Sequence, residues 1–514
     1  MSLPTAVSPS NPVPGVYANV ALLYSAQGPG LGTFKVLLIS PPASVGGNIG
    51  VNTEIRSVSS ADDIELAAGK CLGWFAYKAL LEAYPDIQVD LVCPAESAGA
   101  AATQTLVFGG APTTNCAWDI YISEEKAASV VWAVGDSATV AQAAAVIELA
   151  KTSSRVFCLA TGATATVTLT ARGKGPAGND ITVRVVQTAG AGGTLTPGGS
   201  KLAGGTTEPD VTTALGLIGG RRYTMLLPCL SNADATSGSS SGNVKKCTDY
   251  VASVISGRNA RLEQMVVAST LTYGAAKTGA TAGNGGGNNP NLQHICSRND
   301  GSLPCVLAAA ELGDRLFRRS TQSSANRIGS YLKTIKGSPN WQTDMPSDIE
   351  AADLLNSGVS PVSYDASGAP ISLRPITTHY QDSSGNQDRR CFDVNEVDGI
   401  YDTTADVAVA VQQEYMTPGQ QVKISPDLAP DAQPDDLPEG VVEERDIRAT
   451  VSNRMRFWIR KGVIDKTKWE AAAVPGGAFK VKINASDPTQ VDCFLPLACF
   501  KNFAKFSLYA AKVG

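Results

Sequence analysis

Apolar positions run together, alternate, or recur every three to four residues, and these patterns divide the chain into elements. Phe34 to Ile39 is a short, almost continuous apolar run that reads as a strand. Ser60 then precedes a helical repeat of Ile64, Ala68, Cys71, Phe75 and Ala79, which makes Cys71 a core residue. Ile87 to Val92 is again a strand, and strand, helix, strand is the order of a parallel α/β sheet. From about Thr103 to Gly205 the texture changes to Gly, Ala and Thr. Alternating runs at Thr105 to Phe108, Asp119 to Ile122, Thr164 to Ala171 and Ile181 to Val186 predict a mostly β insertion, with one helix over about Thr139 to Lys151. The α/β rhythm then resumes with a helix near Val211 to Ile218, a strand at Thr224 to Leu227, a helix at Val244 to Ser256 and a strand at Gln264 to Ser269. The expected core is therefore discontinuous in sequence.

Gly274 to Pro290 is rich in Gly, Asn and Thr and is expected to be a mobile surface loop. A helix follows at about Cys305 to Arg319. Near Pro361 the pattern shifts to paired strands, Val362 to Tyr364 and Ile371 to Thr377, around a turn at Asp365 to Gly368, and a second folding unit is expected to begin there. Prolines at 426, 430, 434 and 438, interleaved with aspartates, predict a stiff acidic connector. It leads to a helix, Glu443 to Lys461, with an apolar stripe of Ile447, Val451, Met455, Trp458 and Ile459 and with Arg445, Arg448, Arg454, Arg456 and Arg460 mostly off it. Strands at Phe479 to Ile483, Val491 to Leu495 and Phe500 to Tyr509 follow.

Both ends read as extended. Pro4, Pro9, Pro12 and Pro14 oppose helix before an alternation of Val16, Ala18, Val20 and Leu22. At the other end Phe500, Ala504, Phe506 and Leu508 share one face of a strand. The expected organisation is an arm (1–30), an α/β core in two pieces (31–102 and 206–360), the inserted β-rich domain (103–205), an α+β C-terminal domain (361–499) and an arm strand (500–514).

Composition narrows the function. The 514 residues are 17% charged and 43% apolar, with 50 glycines and 29 prolines, which fits several loop-rich domains and not a disordered chain. A net charge of -5 provides no basic field for nucleic acid. No signal-peptide pattern and no run of eighteen apolar residues occurs, so neither export by a leader nor membrane spanning is expected. The eleven cysteines contain no C-x-x-C and their odd number favours reduced thiols. With only His294 and His379 present, imidazole-based catalysis has two possible bases, and neither lies in a recognisable nucleophile setting. Gly135-Asp136-Ser137-Ala138-Thr139 lacks the closing glycine of a nucleophile elbow, and Gly274-Ala275-Ala276-Lys277-Thr278 lacks the glycine before lysine of a phosphate loop. The acids of Asp393 to Gly399 have the wrong spacing for a calcium loop. No catalytic residue, metal or cofactor is expected. On pattern alone, the basic helix is a solvated face around a core stripe. Extended arms that cannot bury a strand alone point to an assembly protein, with a hydrolase or a monomeric adhesin as the rivals.

The chain resembles the contractile-tail sheath proteins of Mu-like bacteriophages over nearly its whole length. The resemblance is carried by Pro14-Gly15-Val16-Tyr17, by Leu169 to Asp180 in the insertion, by Ala352 to Ser360 with Tyr364 to Gly368 and Arg374 to Thr378, and by Asp487 to Asp492 with Leu495-Pro496. It implies a subtilisin-like α/β core without the protease triad. It further implies a virion-tail subunit, assembled in the bacterial host cytoplasm, that stacks as hexameric rings around a tail tube and contracts to drive that tube through the host envelope. Its partners would be itself, the tail tube protein, and baseplate and tail terminator proteins, with no nucleic acid and no membrane. Val16, Tyr17, Val20, Phe500, Phe506 and Leu508 would form inter-subunit arm strands, and Arg448, Arg454, Arg456 and Arg460 would face the tube.

Overall fold

A computed structural model describes residues 34–44, 49–255, 263–321, 327–416, 422–425, 440–485 and 490–499. The apolar run expected after the amino-terminal arm is β1 (Lys35–Ile39), followed by β2 (Ile55–Val58). The helical repeat after Ser60 is two helices, α1 (Ala61–Ala68) and α2 (Leu72–Ala83), where one was expected. Gly69 breaks it: its φ of 68° is costly for any residue with a Cβ, and Cys71, buried as expected, becomes the N-cap of α2. The capping box at the start of α1 joins Ser60 to Asp63.

After β3 (Gln88–Val92) the insertion supplies β4 (Ala101–Gly110), β5 (Cys116–Ile122), β6 (Glu125–Trp132), α3 (Ala138–Lys151), β7 (Cys158–Ala163), β8 (Thr166–Lys174), β9 (Val183–Ala189) and β10 (Gly193–Pro197). They form two sheets, β10-β4-β8-β7 and β6-β5-β9, with Phe108, Trp118 and Trp132 packed edge to face or tilted between them. The strict alternation of buried and exposed residues along β4 follows from its having one covered face.

The chain then continues through α4 (Thr212–Gly216), β11 (Met225–Pro228), α5 (Asn232–Ser237), α6 (Asn243–Val254), β12 (Gln264–Ser269), α7 (Tyr273–Thr281), β13 (Leu292–Cys296), α8 (Pro304–Thr321), β14 (Ser330–Tyr331), α9 (Trp341–Asp344), α10 (Asp348–Asn356), β15 (Val359–Tyr364) and β16 (Pro370–Ser372). A nine-stranded sheet in the order β14-β16-β15-β13-β12-β11-β1-β3-β2 collects strands from either side of the insertion. Its central strands are parallel and its margins antiparallel. Along β1, Val36 and Leu38 pack with α1, α2 and α8, while Leu37 and Ile39 pack with α4 and α6. Burial on both faces explains why these strands read as unbroken apolar runs.

Two expectations fail here. Gly274 to Pro290 holds α7, with Ala276 and Ala280 buried against Cys296, Leu354 and Val359, and no open loop. The small residues serve close packing: a Cβ on Gly279 would lie 2.3 Å from the Ala235 carbonyl oxygen. Gly279→Val should therefore lower stability by about 1–3 kcal/mol, read as a reduced Tm. Gly274→Ala, with nothing within 4 Å, is the matched neutral control. The unit boundary expected at 360/361 also falls inside β15, because Cys296 pairs in parallel with Pro361 and the sheet continues to Ser372.

A second core follows, built from α11 (Val394–Tyr415), β17 (Lys423–Ser425), β18 (Val441–Glu443), α12 (Glu444–Arg460), α13 (Lys466–Ala473), β19 (Lys480–Ile483) and β20 (Val491–Phe494). The predicted stripe on α12 is its buried face, with Ile447, Val451, Met455 and Trp458 inside and Ile459 only half-buried. The strands make two separate pairs, β17 with β18 and β19 with β20.

Candidate assembly surface

The two histidines were the possible catalytic bases. His294 lies in β13, nearly fully buried, and its Nε2 is 3.0 Å from the Ser269 hydroxyl. Burial depresses its pKa to about 4, so the ring is neutral and a poor proton acceptor at neutral pH. His379 Nε2 is 3.1 Å from Asp388, whose carboxylate Arg390 also grips. One pair has a hydroxyl with no acid bonded to the ring, and the other has an acid with no hydroxyl on the ring. Among the described residues, the parts of a triad do not converge. All eleven cysteines are free thiols, ten of them buried, and no three-residue group of metal-ligating side chains occurs among the described residues.

The four arginines of α12 expected to face the tube separate into different environments. Arg454 makes a two-pronged contact with Asp406 of α11, with its Nε 2.8 Å from Oδ2, and the buried Trp458 indole donates to the same oxygen at 2.8 Å. It therefore ties α12 to α11 and is not available to a partner in this arrangement. Arg448 is half-buried, near the Val481 carbonyl oxygen and 4.0 Å from Glu444. Arg456 and Arg460 are exposed; their nearest polar contacts are Asn453 Oδ1 at 3.4 Å and the Arg456 carbonyl oxygen at 3.4 Å. Neither has an acidic partner among the described residues. With Arg445, Ala449 and Asn453 they line the exposed face of α12, opposite the buried stripe. Val16, Tyr17, Val20, Phe500, Phe506 and Leu508 lie outside the described residues.

The sequence reading missed a buried ionic joint. Arg315 and Arg319 on α8, with Arg327 just beyond it, converge on Asp398 and Asp402 of α11, and all five are at most 6% exposed. Asp398 receives Arg315 at 2.7 Å, Arg327 at 2.8 Å and Arg319 at 3.2 Å, while Arg319 spans to Asp402 at 2.5 Å. Arg315 also donates to Gln293 in β13 at 3.1 Å. Burial would raise the Asp398 pKa, but the three guanidiniums outweigh it and hold the carboxyl ionised. The signal was present as an i, i+4 pair of arginines on one helix and of aspartates on another, but nothing local matches the two. The joint fastens the second core to the α/β unit.

No protein-family model matches the sequence, and no curated protein matches it. Among solved structures the chain is similar to a sheath tail protein from Listeria innocua, at 12% identity and a TM-score of 0.46 over 89% of this chain and 90% of that one. A sheath tail protein from Desulfitobacterium hafniense is similar at 11% identity and a TM-score of 0.45, over 89% of this chain and 92% of that one. The baseplate of the anti-feeding prophage contains a chain similar at 10% identity and a TM-score of 0.38, over 61% of this chain and 77% of that one.

Proposed function

We propose that the chain is a structural subunit of a contractile tail sheath, without catalytic activity. Copies would stack as hexameric rings around a tail tube, in a virion tail assembled in the host cytoplasm, and contract to drive the tube through the host envelope. Baseplate and tail terminator proteins would bound the stack. The α/β unit is the candidate subtilisin-like core, and the sheets from 103–205 are the candidate inserted domain.

The observation that carries this reading is the pair of isolated two-stranded ladders, β17–β18 and β19–β20, in the second core. Two strands alone are marginal; α12 covers the outer edge of β19 through Glu444 and Arg448, and no third strand joins either ladder among the described residues, so β20 and the β17–β18 pair offer edges that can accept a strand from another copy. The resemblance at Ala352 to Thr378 supports it independently. That run builds α10, β15, β16 and the Arg374–Asp393 pair at 2.8 Å, which leads into α11 of the second core. Electron microscopy of the purified protein tests the reading: tubes or stacked rings are expected, and monodisperse monomers across protein concentrations and salts would overturn it.

The exposed face of α12 is the proposed tube contact, now resting on Arg456 and Arg460. Exposed ion pairs contribute about 0–1 kcal/mol each and are screened by salt, so grip would come from many subunits and could be released during contraction. Arg456→Glu with Arg460→Glu should spare self-assembly but reduce co-sedimentation with purified tube, most at low ionic strength. Unchanged tube binding would remove this face from the proposal. Arg454→Glu should instead lower the Tm, because it leaves Asp406 facing a second carboxylate.

A further inference from the structure

Where the β insertion meets the α/β unit, three carboxylates converge on the segment that follows β11. Asp180, at the end of the helical turn Pro176–Asp180, accepts hydrogen bonds from the Asn232 backbone N and Nδ2, both at 2.8 Å. Asn232 is held in turn by Thr270, whose backbone N donates to Oδ1 at 2.7 Å and whose Oγ1 accepts from Nδ2 at 2.9 Å. Glu208, on the strand of chain returning from the insertion, accepts from the Ser231 hydroxyl. Asp234 accepts from the Asn243 backbone N at 3.1 Å. Asp180 and Asp234 are 6% and 4% exposed.

Every direct partner of these acids is a neutral donor. No ion pair reaches any of the three among the described residues. Lys201 acts on Asp180, and Lys246 on Asp234, only at longer range, and Lys246 is itself 2.9 Å from Asp210. Lys174 lines the small cavity beside Glu208 and lies 3.9 Å from Glu96. Hydrogen bonds ease the burial of an anion but do not cancel mutual repulsion, so three ionised carboxylates cannot share this joint without strain.

We propose that Asp180, Glu208 and Asp234 form a proton-operated clasp, which holds the inserted unit against the α/β unit while the cluster retains a proton and loosens when all three ionise. Burial pushes Asp180 up to about 6 and Glu208 up to about 7, the latter aided by repulsion from Asp234 and Asp180; Asp234 is raised as well. A carboxyl whose folded pKa is raised stabilises the folded arrangement fully below its unfolded value. That contribution is lost as pH rises through the folded one. The window therefore runs from about 4 to about 7, and the clasp is tighter in mild acid. Another tie between the two units, Lys336 to Glu125 at 2.9 Å, has no such acid cluster. The clasp does not depend on what the chain assembles into.

Hydrogen exchange on the full chain, corrected for intrinsic rates, tests it at about pH 5.5 and about pH 8. Protection over 176–181 and 201–211 should fall about tenfold at the higher pH, the ratio set by one pKa unit. Around Lys336 it should not change. Glu208→Gln keeps an acceptor for Ser231 and removes one charge, so its protection should fall clearly less than that of the natural chain, the remaining fall coming from Asp180 and Asp234, which burial raises without Glu208. Equal protection of the natural chain at both pH values, or the same fall in Glu208→Gln, would overturn the proposal. If that variant does not fold, infrared spectroscopy of the natural chain decides: a protonated-carboxyl band that fades between about pH 5.5 and about pH 8 is expected, and its absence overturns the clasp.

Discussion

Asp398→Ala should destabilise the protein by about 3–5 kcal/mol, the cost of breaking a buried ion pair from one side. The carboxylate accepts from Arg315, Arg319 and Arg327, and its removal leaves Arg327 without its Asp398 contact and Arg315 with Gln293 and Gln264 among the described residues. Those guanidiniums cannot discard their charge, so the penalty falls on the fold. Because the joint connects α8 to α11, the loss should be visible as a split transition, with the second core melting first in a urea titration. A single transition within about 1 kcal/mol of the natural chain would show that the joint contributes little. The sign with pH is opposite to that of the clasp. The Asp398 pKa is depressed, so its contribution is present above about 4, the unfolded value, and is lost as pH falls through the folded one.

Truncation after Cys499 should leave folded subunits that form no long tubes. The cut belongs there and not earlier: Ala498 accepts from the Asp465 backbone N at 2.8 Å, and Cys499 is 6% exposed in the second core with its thiol 3.7 Å from the Glu396 carbonyl oxygen. Removing 500–514 then takes away Phe500, Phe506 and Leu508 and leaves Ala498 and Cys499 in the chain. Velocity sedimentation and electron microscopy read the outcome. Normal polymers from the truncated chain would end the proposal that this segment links subunits, whereas loss of tubes with an unchanged Tm is the expected pattern.

The same residues show how far the chemistry was legible. Arg454 and Arg456 are two positions apart and were equivalent candidates by sequence. The turn of α12 places Arg454 against Asp406, 48 residues away, and leaves Arg456 in solvent. The sealed contact of His294 with Ser269 has no local signal, since the two lie on different strands. The acids of the clasp had no motif, because Asp180 and Asn232 meet across 52 residues and belong to different units.

What the sequence determined by itself is whatever depends on local periodicity. The order of strands and helices, the β texture between Thr103 and Gly205, and the buried stripe of α12 follow from spacings of two or three to four residues, because an element must hide one face wherever it sits. Tertiary structure alone decided what small or charged residues do. Gly279 and Ala280 read as loop until the neighbours that need their smallness are in place. Arg315 and Arg319 have no readable role until Asp398 and Asp402, some 80 residues later, close over them. Glycine and arginine each suit both roles, and only contacts between distant segments choose between them.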